Sequence, residues 1–258
     1  MSDHNNPLFN QSLEKGLAVL RSFGAARRTM NLVDIAHVAG ISKSSAQRMI
    51  HTLEELGYVR KHAQSRRFQL TPKVMEIGFN YLAADILVDV ANPYLAELNQ
   101  ITGETVNLTE PDGLSMVFVA RFSATKYIPL HMPIGSRMPM YCSGGGRAYL
   151  SGLTDEEVHA AIKASDIVAH TQYTLTDPQA IFARIQNSRK QGYATNAQEM
   201  FLGDMTIAAP IIGSNGLPVA AVHVVAPSNR WTIEEAEQKM AASVIQCARA
   251  ITNSIRTL

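Results

Sequence analysis

The chain has 258 residues, 46% hydrophobic and 17% charged, with 2 cysteines and a net charge of +1. That length allows one large domain or two smaller ones, and the composition excludes a low-complexity disordered chain and a disulfide framework. The polar opening "MSDHNNPLFN" lacks a signal-peptide pattern, and the longest nearly apolar run, "GLPVAAVHVVAP", is too short to cross a bilayer, so a cytoplasmic protein with no membrane partner is expected.

The N-terminal third is basic. Residues 1–75 carry 11 Lys/Arg against 5 Asp/Glu, a balance of +6, and the remainder carries 12 against 17, a balance of −5. The split points to one part that faces nucleic acid and another that does something else. "QSLEKGLAVLRSFG" sets Leu13, Leu17 and Leu20 on one helical face, with Val19 beside it. After a basic loop, "NLVDIAHVAG" repeats the pattern with Leu32, Ile35, Ala36 and Ala39. "ISKSSAQRMIHTLEELGYV" follows, with Ser42 as N-cap and Ala46, Met49, Ile50, Leu53 and Leu56 as the inward stripe. The turn "HVAGIS" between the last two makes a helix-turn-helix, its small residue and glycine read as allowing close helix packing. Its third helix shows Lys43, Ser44, Ser45, Gln47 and Arg48 outward. Hydroxyl, amide and basic groups of this kind donate to phosphates and base edges. "YVRKHAQSRRFQL" reads as a two-stranded wing with basic residues at its turn. Ser44, Ser45, Gln47 and Arg48 are therefore expected in a major groove, and Arg27, Arg28, Lys61, Arg66 and Arg67 on the DNA backbone. The plainer alternative is a three-helix bundle with a solvated face.

"TPKVMEIGFNYLAADILVDVANPYLAELNQITG" is helical, with Thr71 as cap, Pro72 in the first turn and a break or kink expected at Pro93. The domain limits expected are 8–71, a linker helix over 72–84, and 85–258. A helix-turn-helix that must reach two half-sites favours a dimer on geometric grounds.

From Glu104 the pattern changes. "ETVNLTEPDGLSMVFVARFSA" reads as strand, turn and strand, and "YIPLHMPIGSRMPMYC" as an extended segment broken by prolines. "SGGGRAYLSGL", "TDEEVHAAIKAS" and "TDPQAIFARIQNSRKQG" open helices, "MTIAAPIIGSNGLPVAAVHVVAP" is a hairpin, and Thr232 to about Ile255 a long amphipathic helix. Strands and helices mixed in this way make an α+β domain. In "PVAAVHVVAP", Ala221, His223 and Val225 share one strand face. A histidine there is either bonded to a backbone carbonyl or turned toward a ligand.

An enzyme could be assembled on paper from Cys142 with His131 or His223. No nucleophile signature supports it, and a lone cysteine is more often a small buried residue. The glycine run lacks P-loop spacing, and the eight histidines form no H-x-x-x-H pair. Neither catalysis, nor metal, nor a cofactor is expected.

In order and spacing, "QSLEKGLAVLRSFG…NLVDIAHVAGISKSSAQRMIHTLEELGYVRK…FQLTPKVMEIG", then "GSRMPMYCSGGGRAYL", "GYA" and "IAAPI", resemble the IclR-type bacterial transcriptional regulators along nearly the whole chain. The resemblance implies a winged helix-turn-helix, a linker helix near the dimer contact, and a GAF-like α+β domain that binds a small-molecule effector. It places the pocket at Gly144, Gly145, Asn196, Thr206, His223 and Val225. Asn196 and Ala197 stand where a common family pattern is acidic, which would ease binding of an anion. His131 and Arg137 could supply counter-charge, although Arg137 could equally fix a loop. An organic acid is expected as effector, with Phe118, Met140 and Tyr141 suggesting an aromatic one. The expected partners are an operator in double-stranded DNA, the effector, and further copies of the chain in a homodimer or a tetramer built as a dimer of dimers. The rivals are an enzyme with a nucleic-acid module and a constitutive architectural DNA binder.

Overall fold

The computed structural model describes residues 6–124 and 132–256. The chain divides into two compact units, Met1–Ala83 and Ala84–Leu258.

The first unit opens with α1 (Gln11–Ser22), capped by the Asn10 side chain, and α2 (Leu32–Val38), whose Asn31 and Asp34 form a reciprocal capping box. α3 (Lys43–Glu55) starts at Ser42, whose hydroxyl accepts from Ser45 N. β1 (Val59–Lys61) and β2 (Phe68–Leu70) pair antiparallel, and Arg66 takes a positive φ of 53° in the turn between them. The core joins Val19, Phe23, Met30, Ile35, Ala46, Ile50, Leu53, Val59 and Phe68. Two details differ from the periodicity. Leu13 and Leu17 on α1 and Leu56 at the end of α3 are exposed, because Val19 and Phe23 define the buried face of α1 and Leu56 falls on the C-cap of α3. Gly40 has φ +65° with open space where a Cβ would stand. Its glycine answers a left-handed backbone, not close helix packing.

The connecting stretch bends at another place than expected. A short 3-10 turn (Pro72–Val74) leads into α4 (Met75–Ala84), and the chain breaks at Asp85, whose side chain caps α5 (Ile86–Thr102) through Leu87 N. Pro93 lies inside α5 without ending it. An internal proline removes one helical hydrogen bond, and α5 continues past it, burying Val88, Ala91, Leu95 and Leu98.

The second unit is built on a six-stranded antiparallel sheet. Its strands are β3 (Val106–Asp112), β4 (Ser115–Phe122), β5 (Arg137–Pro139), β6 (Ala194–Ala197), β7 (Met205–Ile212) and β8 (Pro218–Val225), in the order β5-β4-β3-β8-β7-β6. β6 lies in the polar segment after "GYA", which the sequence pattern did not mark as a strand. One face carries Val106, Leu108, Ile207, Ala209, Val222 and Val224, by strand alternation and register. That apolar face lies under α5 and α9 (Ile233–Ile255). The other face is covered by α6 (Gly144–Ser151), backed by α8 (Pro178–Gln191), against which α7 (Asp155–Ala164) packs. An α+β fold results, with helices on both faces of one sheet.

Candidate functional site

Two surfaces carry chemistry, one in each unit. On α3, Lys43, Ser44, Gln47 and Arg48 are exposed and Ser45 is half-buried. The Ser42 hydroxyl lies 3.0 Å from each of the Ser44 and Ser45 hydroxyls. The opposite face of the helix is held by Ala46, Ile50 and Leu53, which leaves the polar face outward. Arg28, Lys61 and Arg66 are exposed at the loop and the wing. Two of the other cations are tied into the fold. Arg67 donates to Thr29 O at 2.8 Å and to Thr29 Oγ1 at 3.1 Å, and meets Asp34 at 3.5 Å. Arg27 Nε donates to Ser22 O at 2.9 Å. The structure therefore gives Arg67 a role in bracing the wing against α2.

In the second unit, sheet register lines up side chains beneath α6. One row runs Arg121, Asn107, His223, Ala208, Ala194 from β4 to β6. The next holds Val225, Thr206 and Asn196. Arg121, Asn107, His223, Val225, Thr206 and Asn196 of these rows line a cavity, together with Thr109, Met116, Phe118, Met132, Met138, Asp204 and the start of α6 at Ser143–Gly145. α6 can approach the sheet so closely only because its first turn lacks side chains. A Cβ on Gly144 would overlap Thr206 Oγ1, and one on Gly145 would stand 2.9 Å from Thr109 Oγ1 and 3.4 Å from His223 Nδ1. A Cβ on Gly146 would overlap the Met140 backbone. The Gly146 amide donates to the Ser143 cap at 3.2 Å, whereas Gly144 and Gly145 occupy helix positions whose amides have no intrahelical acceptor.

The hydrogen bonds around His223 settle its proton. Asn107 Nδ2 lies 3.1 Å from His223 Nε2, and Asn107 Oδ1 accepts from Arg121 Nη1 at 3.3 Å. An amide NH2 can only donate, so Nε2 accepts and the ring proton sits on Nδ1. Burial, with Arg121 adding to it, pushes His223 down to about 4, so the ring is neutral at pH 7. His223 Nδ1, Arg121 Nε and Thr206 Oγ1 are buried and have no hydrogen-bond partner among the described residues. Two are obligate donors and the hydroxyl can donate. Such atoms are costly unless something fills the cavity and accepts from them. Asp204 faces the same space, its carboxyl pushed up to about 7 by burial against the opposing pull of Arg121.

That shift has a measurable consequence. A carboxyl raised from 3.8 to about 7 in the folded state stabilises fully below its unfolded pKa, and that stability is lost as pH rises toward 7. Asp204→Asn should therefore gain on the parent protein in melting temperature between pH 4 and pH 7, with a constant lead above. A lead that does not change with pH would rule the shift out.

Of the positions expected for the pocket, Gly144, Gly145, Asn196, Thr206, His223 and Val225 all line the cavity. The Asn196 amide is already engaged, donating to Cys142 O at 2.6 Å and accepting from Glu199 N at 3.4 Å. His131 lies outside the described residues. Arg137 is not a counter-charge here: it is exposed and bound to Asp112 at 2.5 Å, clamping β5 to the β3–β4 turn. Among the described residues, the cation that lines the cavity is Arg121. It, Asn107 and Asp204 escaped sequence reasoning; strand alternation from Thr109 through Asn107 was the available signal, but a bulge between Leu108 and Thr109 shifts the β4 register. Only Phe118 of the three residues taken as aromatic-acid signals lines the cavity. Tyr141 donates to Val168 O at 2.7 Å, and with Met140 and Cys142 it belongs to the core behind α6. Burial pushes the Cys142 thiol up to about 11, which removes the thiolate an active-site nucleophile requires.

Comparison with known proteins places these surfaces in a wider frame. Residues 12–63 match the family described as "IclR helix-turn-helix domain", and residues 79–253 match "Bacterial transcriptional regulator IclR C-terminal". The chain is 32% identical over 252 residues to the Pca regulon regulatory protein of Pseudomonas putida, covering 97% of this chain and 86% of that protein. A solved structure of a transcriptional regulator from Rhodococcus sp. RHA1 is similar at TM-score 0.83 with 35% identity, covering 96% of this chain and 99% of the other. An IclR homolog from Microbacterium hydrocarbonoxydans, solved in complex with 4-hydroxybenzoate, shares the fold at TM-score 0.79 and 20% identity, covering 96% and 100% of the two chains.

Proposed function

The chain belongs to the IclR family of bacterial transcriptional regulators, and from that premise we propose how its residues read DNA and sense a metabolite. It is a DNA-binding regulator with an effector-binding C-terminal domain. α3 enters the major groove with Ser44, Ser45, Gln47 and Arg48 at base edges and Lys43 beside them. Arg27, Arg28, Lys61 and Arg66 hold the DNA backbone. Replacing Arg48 with Ala should weaken operator binding by about 1–3 kcal/mol and relax preference at particular base pairs, whereas Arg66→Ala should weaken all DNA alike and reduce the salt slope by about one. Fluorescence anisotropy on operator and random duplexes across salt concentrations separates the two. Identical behaviour of both variants would overturn this sorting.

The effector is an organic acid, with an aromatic one favoured. The observation that carries this is the set of buried donors without partners, His223 Nδ1, Arg121 Nε and Thr206 Oγ1, around a cavity walled by Phe118 and methionines. The 4-hydroxybenzoate held by the Microbacterium homolog supports an aromatic ring of this size. Bound effector shifts operator affinity only in so far as it binds the DNA-competent and DNA-incompetent states unequally. Melting of the full-length protein against a panel of carboxylic acids tests the reading; stabilisation by uncharged compounds alone would refute it.

The protein works in the cytoplasm as a homodimer, and as a tetramer formed from two dimers. Met75, Ile77 and Phe79 on α4 are exposed, and α4 has no buried residue. An exposed apolar helix of this kind is suited to a second copy of the chain. The second unit acts as a sensor and not as an enzyme, in keeping with its neutral, buried Cys142.

A further inference from the structure

The cavity holds more than an acid-binding set. Among the described residues, the titratable side chains that line it are Arg121, Asp204 and His223. Asp204 precedes β7, and strand alternation puts it on the same face as Thr206 and Ala208. Its backbone is fixed from both sides: its amide donates to Phe201 O at 3.2 Å, and its carbonyl accepts from Gln198 N at 2.7 Å. Gln198 itself takes a positive φ of 61°, and its side chain accepts from Gly203 N at 2.8 Å. The loop therefore delivers one carboxylate to the cavity from a defined direction. Arg121 reaches in from β4, with β3 and β8 between it and β7. Its Nη1 is held by Asn107 Oδ1 and by Met132 O at 3.2 Å. Arg121 and Asp204 feel each other's charge, yet they form no ion pair.

Two opposite charges that face one cavity without meeting leave both a donor side and an acceptor side. Arg121 Nε and His223 Nδ1 lack an acceptor. The Asp204 carboxylate offers acceptor lone pairs. A ligand bearing only an acid group answers the donors and leaves a carboxylate beside its own charge. A ligand with an acid at one end and a hydroxyl at the other answers both.

Resting on the acid-effector reading above, we infer that Asp204 accepts a hydrogen bond from the effector while Arg121 and His223 donate to its acid group, so that the pocket selects acids that also carry a hydroxyl. Asp204 is thus a specificity residue. Ionised, Asp204 can only accept, whereas protonated it can also donate to a plain acid, so the selectivity is larger at pH 8 than at pH 5.5. Arg121 stays charged across that range and His223 stays neutral.

The test uses matched pairs on the full-length protein, by isothermal titration calorimetry at both pH values: benzoate against 3- and 4-hydroxybenzoate, and pyruvate against lactate. In at least one pair the hydroxy acid should bind about tenfold tighter or more at pH 8, since a site built to bond a hydroxyl discriminates against the analogue without it. Asp204→Leu and Asp204→Asn are both measured, so that one misfolded variant does not decide the matter. Folded Asp204→Leu should lose the preference and bind the plain acid at least as well as the parent protein; Asp204→Asn should narrow it and lose its pH dependence. Equal binding within every pair overturns this inference and leaves the acid effector standing. A hydroxyl preference that survives both substitutions overturns the assignment to Asp204. Absence of binding by every acid overturns both readings together.

Discussion

Glu199→Gln is expected to destabilise the C-terminal unit by about 3–5 kcal/mol, the usual consequence of removing one partner from a buried ion pair. Arg147 is fully buried. Its Nη1 and Nη2 both bind the Glu199 carboxylate, the second at 2.7 Å, and its Nε donates to Tyr141 O at 3.0 Å. Glu199 also accepts from Leu175 N at 3.0 Å. The pair thereby ties α6 to the loop after β6 and to the segment before α8. Neutralising the acid leaves a guanidinium deep in the protein with no counter-charge, and the protein cannot shed that charge, because arginine does not deprotonate. Urea unfolding monitored by circular dichroism measures the loss. The double variant Arg147→Met/Glu199→Gln should recover part of it, since no unpaired charge then remains. A single-variant loss below about 1 kcal/mol, or a double variant worse than the sum of its parts, would show that the pair does not hold α6 in place.

The second large effect concerns the cavity. Gly145→Ala is expected to cut effector affinity by about tenfold or more while operator affinity without effector stays within about twofold, on the order of a few tenths of a kcal/mol. The added methyl would stand 3.4 Å from His223 Nδ1, covering the donor that awaits an acceptor, and 2.9 Å from Thr109 Oγ1, which must give way. Gly144→Ala meets a harder obstacle in Thr206, and Gly146→Ala meets backbone, so those two should lower stability before they report on binding. Calorimetry for effector and anisotropy for operator, on the same preparation of Gly145→Ala, give both readouts. A fall in operator affinity equal to the fall in effector affinity would make the glycine a folding element and move the pocket elsewhere.

These two cases mark where local pattern stops being informative. The resemblance places the pocket at the glycines of "CSGGGRAYL". In the structure the glycines do border the cavity, but Arg147 points away into a buried pair with a glutamate 52 residues further along the chain. Arg137 could be read as a counter-charge or as a residue that fixes a loop, and it is clamped to Asp112. An arginine's type says only that it needs acceptors; the fold decides which acceptors reach it first.

The sequence by itself determined what depends on neighbours along the chain. The helix caps at Ser42, Thr71, Asp177 and Thr232, the alternation that turns His223 and Val225 to one face, the helix-turn-helix with its polar third helix, and the division into a basic and an acidic part all follow from period, capping chemistry and charge count. Only the tertiary structure decided what depends on strands meeting across the sheet. Arg121, Asn107 and His223 form one row because β4, β3 and β8 pair in a particular register past a bulge. Asp204 joins them by alternation with Thr206, its backbone fixed by a loop with a left-handed Gln198. A one-residue slip in any of those pairings would send the same side chains to the opposite face, and nothing local to them records which register is adopted.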